Sequence, residues 1–361
     1  MRVLFDIGHP GHIHLFKNTY FSLKSKGHDV FVTIRDSKIH KDLLNSYEIP
    51  YTIVGSKKDT IFKKGIEQIK QNALLLKFVK KNKIDIGVSS GIALPQLSKI
   101  TKLKSITLDD DDDDVEPLFV KFGHRFTDTL LSPNVITRKS SKNIKYNGTH
   151  ELAYLHPTVF SPNKEIFNEL GVEVDEVYFI LRFVAFKGHH DVGQTGISLE
   201  KKRLLINLLD KYGKIFITSE DPIDEEFEKY RIKISPEKIH SALYYATMFL
   251  GDSQTMTSEA AVLGTPALKC NTFAGKLSVP NDLENKYKLC LSYHPDQFDE
   301  FLAHTERLIK SGELKLNWKQ RLEDMLKDKI NVSGFLTWFV ENYPESKGIM
   351  TKDPNYQDRF K

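Results

Sequence analysis

Cysteine is scarce in this chain: Cys270 and Cys290 are the two among 361 residues. Two thiols make no disulfide framework, and they lack the spacing of a zinc or CxxC redox motif. Both sit in apolar surroundings and read as inert core thiols, which points to a cytoplasmic protein. No run of eighteen apolar residues occurs, so no membrane-spanning helix is predicted. The opening MRVLFDIGHP has no secretory pattern, because a strand and a His-Gly loop follow Arg2 at once. A net charge of +4 lacks the basic excess that nucleic-acid binding asks for. No sequence repeat is visible. What is present is ordinary globular material, 40% apolar and 28% charged, in a chain too long for one core. Two domains are expected.

The first half alternates short apolar runs with helical patterns. Strands are expected at 2–7, 28–34, 51–54, 84–88 and 105–108, with helices at about 13–26, 37–47 and 61–82. After a turn-rich linker at 147–162 the pattern restarts. Strands at 177–181, 214–218, 248–250 and 267–269 alternate with helices at 199–212, 236–246 and about 257–263, and the end is helical. Such alternation means βαβ units and parallel sheets. We expect two doubly wound domains, 1–150 and 163–330, facing a central cleft, with a helix in 331–345 crossing back to the first. The polar tail after Tyr343 reads as loosely held. In such sheets ligands sit beyond the carboxyl ends of the strands, so the loops there are where function is sought.

Residues 251–268, GDSQTMTSEAAVLGTPAL, pass from a strand through small polar residues into a helix. Ser253, Thr255, Thr257 and Ser258 are able to cap it, and its free N–H groups favour an anion. Glu259 falls in the expected first turn. A plain capped helix accounts for these residues equally well.

Residues 6–16, DIGHPGHIHLF, form a Gly/Pro loop with histidines at 9, 12 and 14. Imidazole accepts a proton near neutral pH, so these are candidates for a base or for acceptor contacts; capping or packing at a helix start is the bland account. Zinc is not expected, because no partner cysteine or HExxH element is present. Residues 181–196, LRFVAFKGHHDVGQTG, bring Arg182 and Lys187 for a diphosphate and His189, His190 and Asp191 for a sugar or acceptor. Six consecutive aspartates, 109–114, follow a strand. Asp109 is the one nearest the cleft, and the later ones read as a solvated loop. Residues 57–83 carry nine lysines between apolar residues at helical spacing. The pattern suits a helix with one core face, and also peripheral contact with an anionic membrane surface.

The stretch RIKISPEKIHSALYYATMFLGDSQTMTSEAAVLGTPAL resembles the carboxy-domain signature of GT-B glycosyltransferases. It is most similar to the undecaprenyl-linked N-acetylglucosaminyltransferase of peptidoglycan synthesis and to the non-hydrolysing UDP-N-acetylglucosamine 2-epimerases. As a whole, with FDIGHPGHIHLF and KGHDVFVTIRD, the chain resembles a bacterial and archaeal GT-B-like family of unknown function, from Met1 to about Tyr343. The resemblance implies a GT-B-like α/β fold and a nucleotide-diphosphate donor, most simply a UDP-sugar. It assigns Glu259 to the ribose, Ser253, Gln254 and Thr255 to the diphosphate, and the backbone of Ile234 and Ser235 to the base. We add Thr257 and Arg182 to the diphosphate group. Asp252, Ser253 and Gln254 depart from the small or Gly-rich residues usual there, and Asp252 would repel phosphate unless it points away or binds a sugar hydroxyl. His12 matches a Gly-His pair facing the acceptor, which makes it the expected base, and Asp109 is the second catalytic candidate. His9, His14, His189, His190 and Glu151 are acceptor or sugar candidates. The acceptor would be a surface glycan or a lipid-linked one, at the inner face of the membrane. No metal and no cofactor is expected, since transferases of this fold usually need none. A nucleotide-sugar epimerase or hydrolase, using Asp109, Glu116 or Glu151 with His189 or His190, is the alternative. A binding protein without turnover is a third.

Overall fold

The computed structural model describes residues 1–56, 61–184, 195–219 and 223–361. They form two compact units: Met1–Tyr154 with Lys329–Lys361, and Leu155–Asp328.

Unit 1 is built on β1 (Arg2–Ile7), α1 (Pro10–Ser25), β2 (Asp29–Asp36), α2 (Lys38–Ser46), β3 (Thr52–Ser56), α3 (Ile61–Asn82), β4 (Ile86–Ser89), α4 (Ala93–Leu97), β5 (Lys104–Leu108), α5 (Pro117–Phe119), β6 (Thr129–Pro133) and β7 (Asn143–Tyr146), with α6 (Leu152–Leu155) at the boundary. The seven strands are all parallel, in the order β3-β2-β1-β4-β5-β6-β7. The central strands β1 and β4 are almost wholly buried, as parallel strands covered on both faces must be. The direction of winding reverses between β1 and β4. That makes the loops after these two strands the natural ligand edge. Helix α1 starts at Pro10 rather than Ile13. Pro10 sits at the first helical position, and the His9 ring accepts a hydrogen bond from Gly11 N at 3.1 Å.

Unit 2 contains α7 (Ile166–Leu170), β8 (Tyr178–Arg182), α8 (Leu199–Leu209), β9 (Lys214–Thr218), α9 (Ile239–Tyr245), β10 (Met248–Gly251), α10 (Gln254–Val262), β11 (Ala267–Cys270), α11 (Ser278–Asn285), β12 (Cys290–Tyr293), α12 (Phe298–Ile309) and α13 (Leu314–Asp328). Its five parallel strands run β12-β11-β10-β8-β9, so the switch point lies between β8 and β10.

Three strands escape the sequence reading: β6, β7 and β12. The tail also differs from expectation. After α14 (Val332–Glu341), the segment with α15 (Glu345–Lys352) packs onto unit 1. Gln357 Oε1 accepts from Asn147 N at 2.6 Å, Phe360 O accepts from Asn331 N at 2.7 Å, and the Phe360 ring lies 5.6 Å from Trp338. Within α3, Leu75 and Val79 enter the core, while Ile69, Leu74, Lys70, Lys77, Lys80 and Lys81 face solvent. The part of the lysine-rich segment before residue 61 lies outside the described residues. Among the described residues, no helix is long and apolar enough to cross a membrane.

Candidate functional site

In unit 2 the candidate residues gather at the carboxyl edge of the sheet. Gly251 closes β10 with φ 154°, and a Cβ there would stand 2.1 Å from Arg182 O on β8. Glycine is therefore what lets the two strand ends meet. Helix α10 begins at Gln254, three residues earlier than expected, because Ser253 already caps it: Ser253 Oγ accepts from Met256 N at 3.4 Å. Glu259 accordingly lies in the second turn rather than the first.

The early start changes what each side chain offers. Thr257 is buried and donates its hydroxyl to Ser253 O at 2.6 Å, so it is turned into the helix, away from a diphosphate at the N-terminus. Thr255 is exposed. Gln254 Oε1 accepts from Lys269 Nζ, while Gln254 Nε2 is buried without a partner. Lys269, at the end of β11, is 1% exposed, and burial lowers its pKa. The first-turn N–H groups, which no helix satisfies internally, and the Arg182 guanidinium are the donors an anion would meet. Arg182 Nη1 lies 3.3 Å from Thr218 Oγ1.

Asp252 does not threaten a phosphate. Its carboxylate is buried and turned onto backbone, accepting from Val184 N at 2.7 Å and Ile197 N at 3.1 Å. Burial pushes its pKa up to about 6 against the pull of those two N–H groups. Glu259 is buried with its Oε1 3.1 Å from His240 Nε2, a partner the sequence reading missed. Ile234 and Ser235 follow a strand-like stretch in which Ile232 N donates to Ile217 O at 2.9 Å, which docks this turn beside β9. His189 and His190, with Lys187 and Asp191, lie outside the described residues.

In unit 1 the acidic run is an organised turn at the end of β5. Asp109 is 5% exposed, and its Oδ2 lies 2.7 Å from both His124 Nε2 and Arg138 Nη2. Its Oδ1 accepts from Asp111 N at 3.0 Å. The Arg138 guanidinium, 1% exposed, also bonds the carbonyls of Asp109 and Asp111 and lies 2.8 Å from Asp113 Oδ1. A π-turn at Val120–His124 delivers His124 to this contact. Asp109 is thus an anchor of the turn, its carboxylate engaged by His124, Arg138 and Asp111 N. Asp109, Asp110 and Asp111 bring ligand atoms within 4.8 Å of one another. Protein side chains already occupy that set, with His124 and Arg138 on Asp109 and His150 on Asp110.

His150 Nδ1 is 3.0 Å from Asp110 Oδ1, and its ring stacks on Tyr146 at 6.5 Å and 12°. Burial disfavours the imidazolium, but Asp110, with Glu151 and Asp109, overcomes this and raises the His150 pKa. Conversely, burial acts to raise Asp110, and His150 and His12 pull it below the ordinary carboxylate value. Glu151 is 5% exposed, and burial, then Asp110, push it up to about 7. His12 sits in the first turn of α1; burial, then His9 and His150, push it down to about 3. Such an imidazole is neutral at pH 7 but accepts a proton poorly, which weakens the expectation that it is the base. His9 is occupied as the cap of α1. His14 is buried against Tyr47 and Tyr154, so it is a packing residue rather than a loop residue. His150, Asp110, His124 and Arg138 were not singled out from the sequence. The one available signal was position, and for Asp110 alone, which follows the expected strand β5 at the ligand edge; His150 follows β7, a strand the sequence did not show.

Two doubly wound parallel sheets of this kind define the GT-B-like fold. Over 95% of this chain and 95% of the other, it is similar to the S. aureus MnaA–UDP co-structure, at 12% identity and a TM-score of 0.68. It is also similar to the spinosyn forosaminyltransferase SpnP, at 15% identity and a TM-score of 0.64, over 91% of this chain and 95% of that one. The chain belongs to the family described as "Protein of unknown function (DUF354)", which matches residues 1–332. A Methanocaldococcus jannaschii relative, "Uncharacterized protein MJ0665", is 21% identical over 87% of this chain and 88% of its own.

Proposed function

We propose that this protein is a glycosyltransferase that takes a sugar from a nucleoside-diphosphate donor, a UDP-sugar first among them. It would pass the sugar to a hydroxyl of a surface glycan or a lipid-linked acceptor, in the cytoplasm or at the inner face of the membrane. The observation that carries this reading is the capped N-terminus of α10 at the β8/β10 switch point, with Arg182 at the end of the neighbouring strand. Backbone N–H groups and a guanidinium there suit a diphosphate, whose departure they would stabilise. Glu259, held by His240, would take the ribose hydroxyls, and the turn at Ile234–Ser235 the base. The UDP named with the MnaA structure supports that choice of nucleotide.

A second reading, a nucleotide-sugar epimerase or hydrolase, is favoured by one observation. Unit 1 holds two adjacent buried ionisable side chains, His150 and Glu151, where a transfer step asks for one. An epimer of the donor sugar formed without acceptor would favour it.

Calorimetric binding of UDP, GDP, CMP, TDP and UDP-N-acetylglucosamine tests both. One diphosphate nucleotide should bind, and Glu259→Gln, which is closer in shape than Glu259→Ala, should weaken it. Absence of binding to all five would remove both readings.

A further inference from the structure

Unit 1 carries several buried polar atoms with no hydrogen-bond partner among the described residues. Among them are His12 Nδ1, Tyr146 Oη, His150 Nε2 and, directly after β4, Ser90 Oγ, with Thr149 and Glu151 buried beside them and close enough to pair with each other. Tyr146 and Thr149 are at most 1% exposed, and Glu151 and His150 are 5% and 9% exposed. A folded chain rarely leaves such atoms unsatisfied, because each costs about 1–3 kcal/mol unless water or a ligand meets it. These residues belong to segments at or just beyond the carboxyl ends of β1, β4 and β7, the edge where an open α/β sheet takes its ligand. The set offers hydroxyls, imidazoles and a carboxyl, which is a match for a hydroxyl-rich ligand.

Within it one side chain is oriented and keeps an unpartnered nitrogen. Asp110 fixes the Nδ1 side of the His150 ring, Tyr146 stacks against its face, and Nε2 is left over. A carboxylate on Nδ1 selects the tautomer whose Nε2 has a lone pair, and it stabilises the imidazolium formed when that lone pair takes a proton. His12, by contrast, has no carboxylate in hydrogen-bonding contact among the described residues, and its Nδ1 is unpartnered.

We propose that His150, positioned by Asp110, is the group that takes the proton from the acceptor hydroxyl; this rests on the transferase reading above. In the step, the acceptor oxygen bonds to the anomeric carbon of the sugar. The anomeric C–O bond to the diphosphate breaks, and both its electrons leave on the diphosphate. The acceptor's proton ends on His150 Nε2, giving an imidazolium paired with the Asp110 carboxylate. With water as acceptor the same step releases UDP and free sugar.

The test uses the full chain and UDP-N-acetylglucosamine, with UDP release as the activity and UDP calorimetry as the binding control. His150→Gln should lower release about a hundredfold or more, while UDP affinity stays within about twofold. His150→Ala should regain release when imidazole is added, which a merely structural role would not permit. Asp110→Asn tests positioning. In ¹⁵N-histidine spectra, wild type should show His150 protonated at Nδ1 when neutral, and Asp110→Asn should lose that preference and lower the midpoint of the His150 titration. The groups around His150 in that titration are Asp110, Asp109, Glu151, His12 and Tyr146. Wild-type release by His150→Gln overturns the proposal and leaves the transferase reading standing. So does a wild-type His150 protonated at Nε2. Binding of UDP-N-acetylglucosamine without any UDP release overturns both, and absence of nucleotide binding overturns the transferase reading at its donor end.

Discussion

Glu151→Gln should change how unit 1 responds to pH. The Glu151 carboxyl is 5% exposed, and burial, then Asp110, raise it from 4.5 to about 7. A raised carboxyl is penalised when ionised, and this displacement corresponds to ~3 kcal/mol against the carboxylate. The penalty is absent below pH 4.5, grows through the window up to about 7, and is complete above it. Wild-type unit 1 should therefore lose ~3 kcal/mol from this one side chain as pH rises from about 4 to 8, and the glutamine variant should not. Trp338 lies on α14 in unit 1 and Trp318 on α13 in unit 2, so a Trp318→Phe background makes Trp338 fluorescence a reporter of unit 1. Urea midpoints at several pH values then give the difference directly. Glu151→Gln should match wild type near pH 4.5, gain on it up to about pH 7 and hold that gain above it. Parallel curves would refute the reasoning, because they would mean that Glu151 ionises in the fold at no cost.

Two further outcomes follow from contacts described above. Arg138→Met leaves the buried Asp109 carboxylate with less compensation and should cost unit 1 ~3–5 kcal/mol, with Asp109→Asn in the same chain recovering much of it; a purely additive double variant in urea unfolding would refute the anchor. Gly251→Ala drives a methyl into Arg182 O and should cost unit 2 about 3 kcal/mol or its solubility, read from the Trp318 transition; an unchanged midpoint would show that the two strand ends move apart freely.

Much of the fold was legible because buried parallel strands are uninterrupted apolar runs, as in RVLFDI and YFILR. The missed strands are short and mixed. NIKY at the edge of its sheet exposes Lys145, and CLSY carries a serine, so neither shows a pattern distinct from a loop. The start of α10 was misplaced because its first turn, QTMT, is as polar as the loop before it. The Ser253 cap was visible there, though its use was not. At the site, the polar residues named from sequence are real, but several spend their bonds on the protein itself: Thr257 on Ser253, Asp252 on two backbone N–H groups, and Asp109 on His124 and Arg138. Arg138 lies in TRKSSK, which reads as a solvated turn. Nothing local marks an arginine as buried when its partner is far away in sequence. The pairing of Asp110 with His150 is of the same kind, made by the packing of β5, β6 and β7 and invisible to any window along the chain.

Unit 1 is assembled from two separated pieces of chain, residues 1–154 and 329–361, and unit 2 is one uninterrupted piece. During synthesis the order of completion therefore inverts the order of the sequence. The first sheet emerges early but waits for α14 and the segment after it, while the whole of unit 2 is made and free to fold in between. Over that interval the surface of α1 that later meets α14 is bare, so the first-made half of this protein is the one that depends longest on what has yet to leave the ribosome.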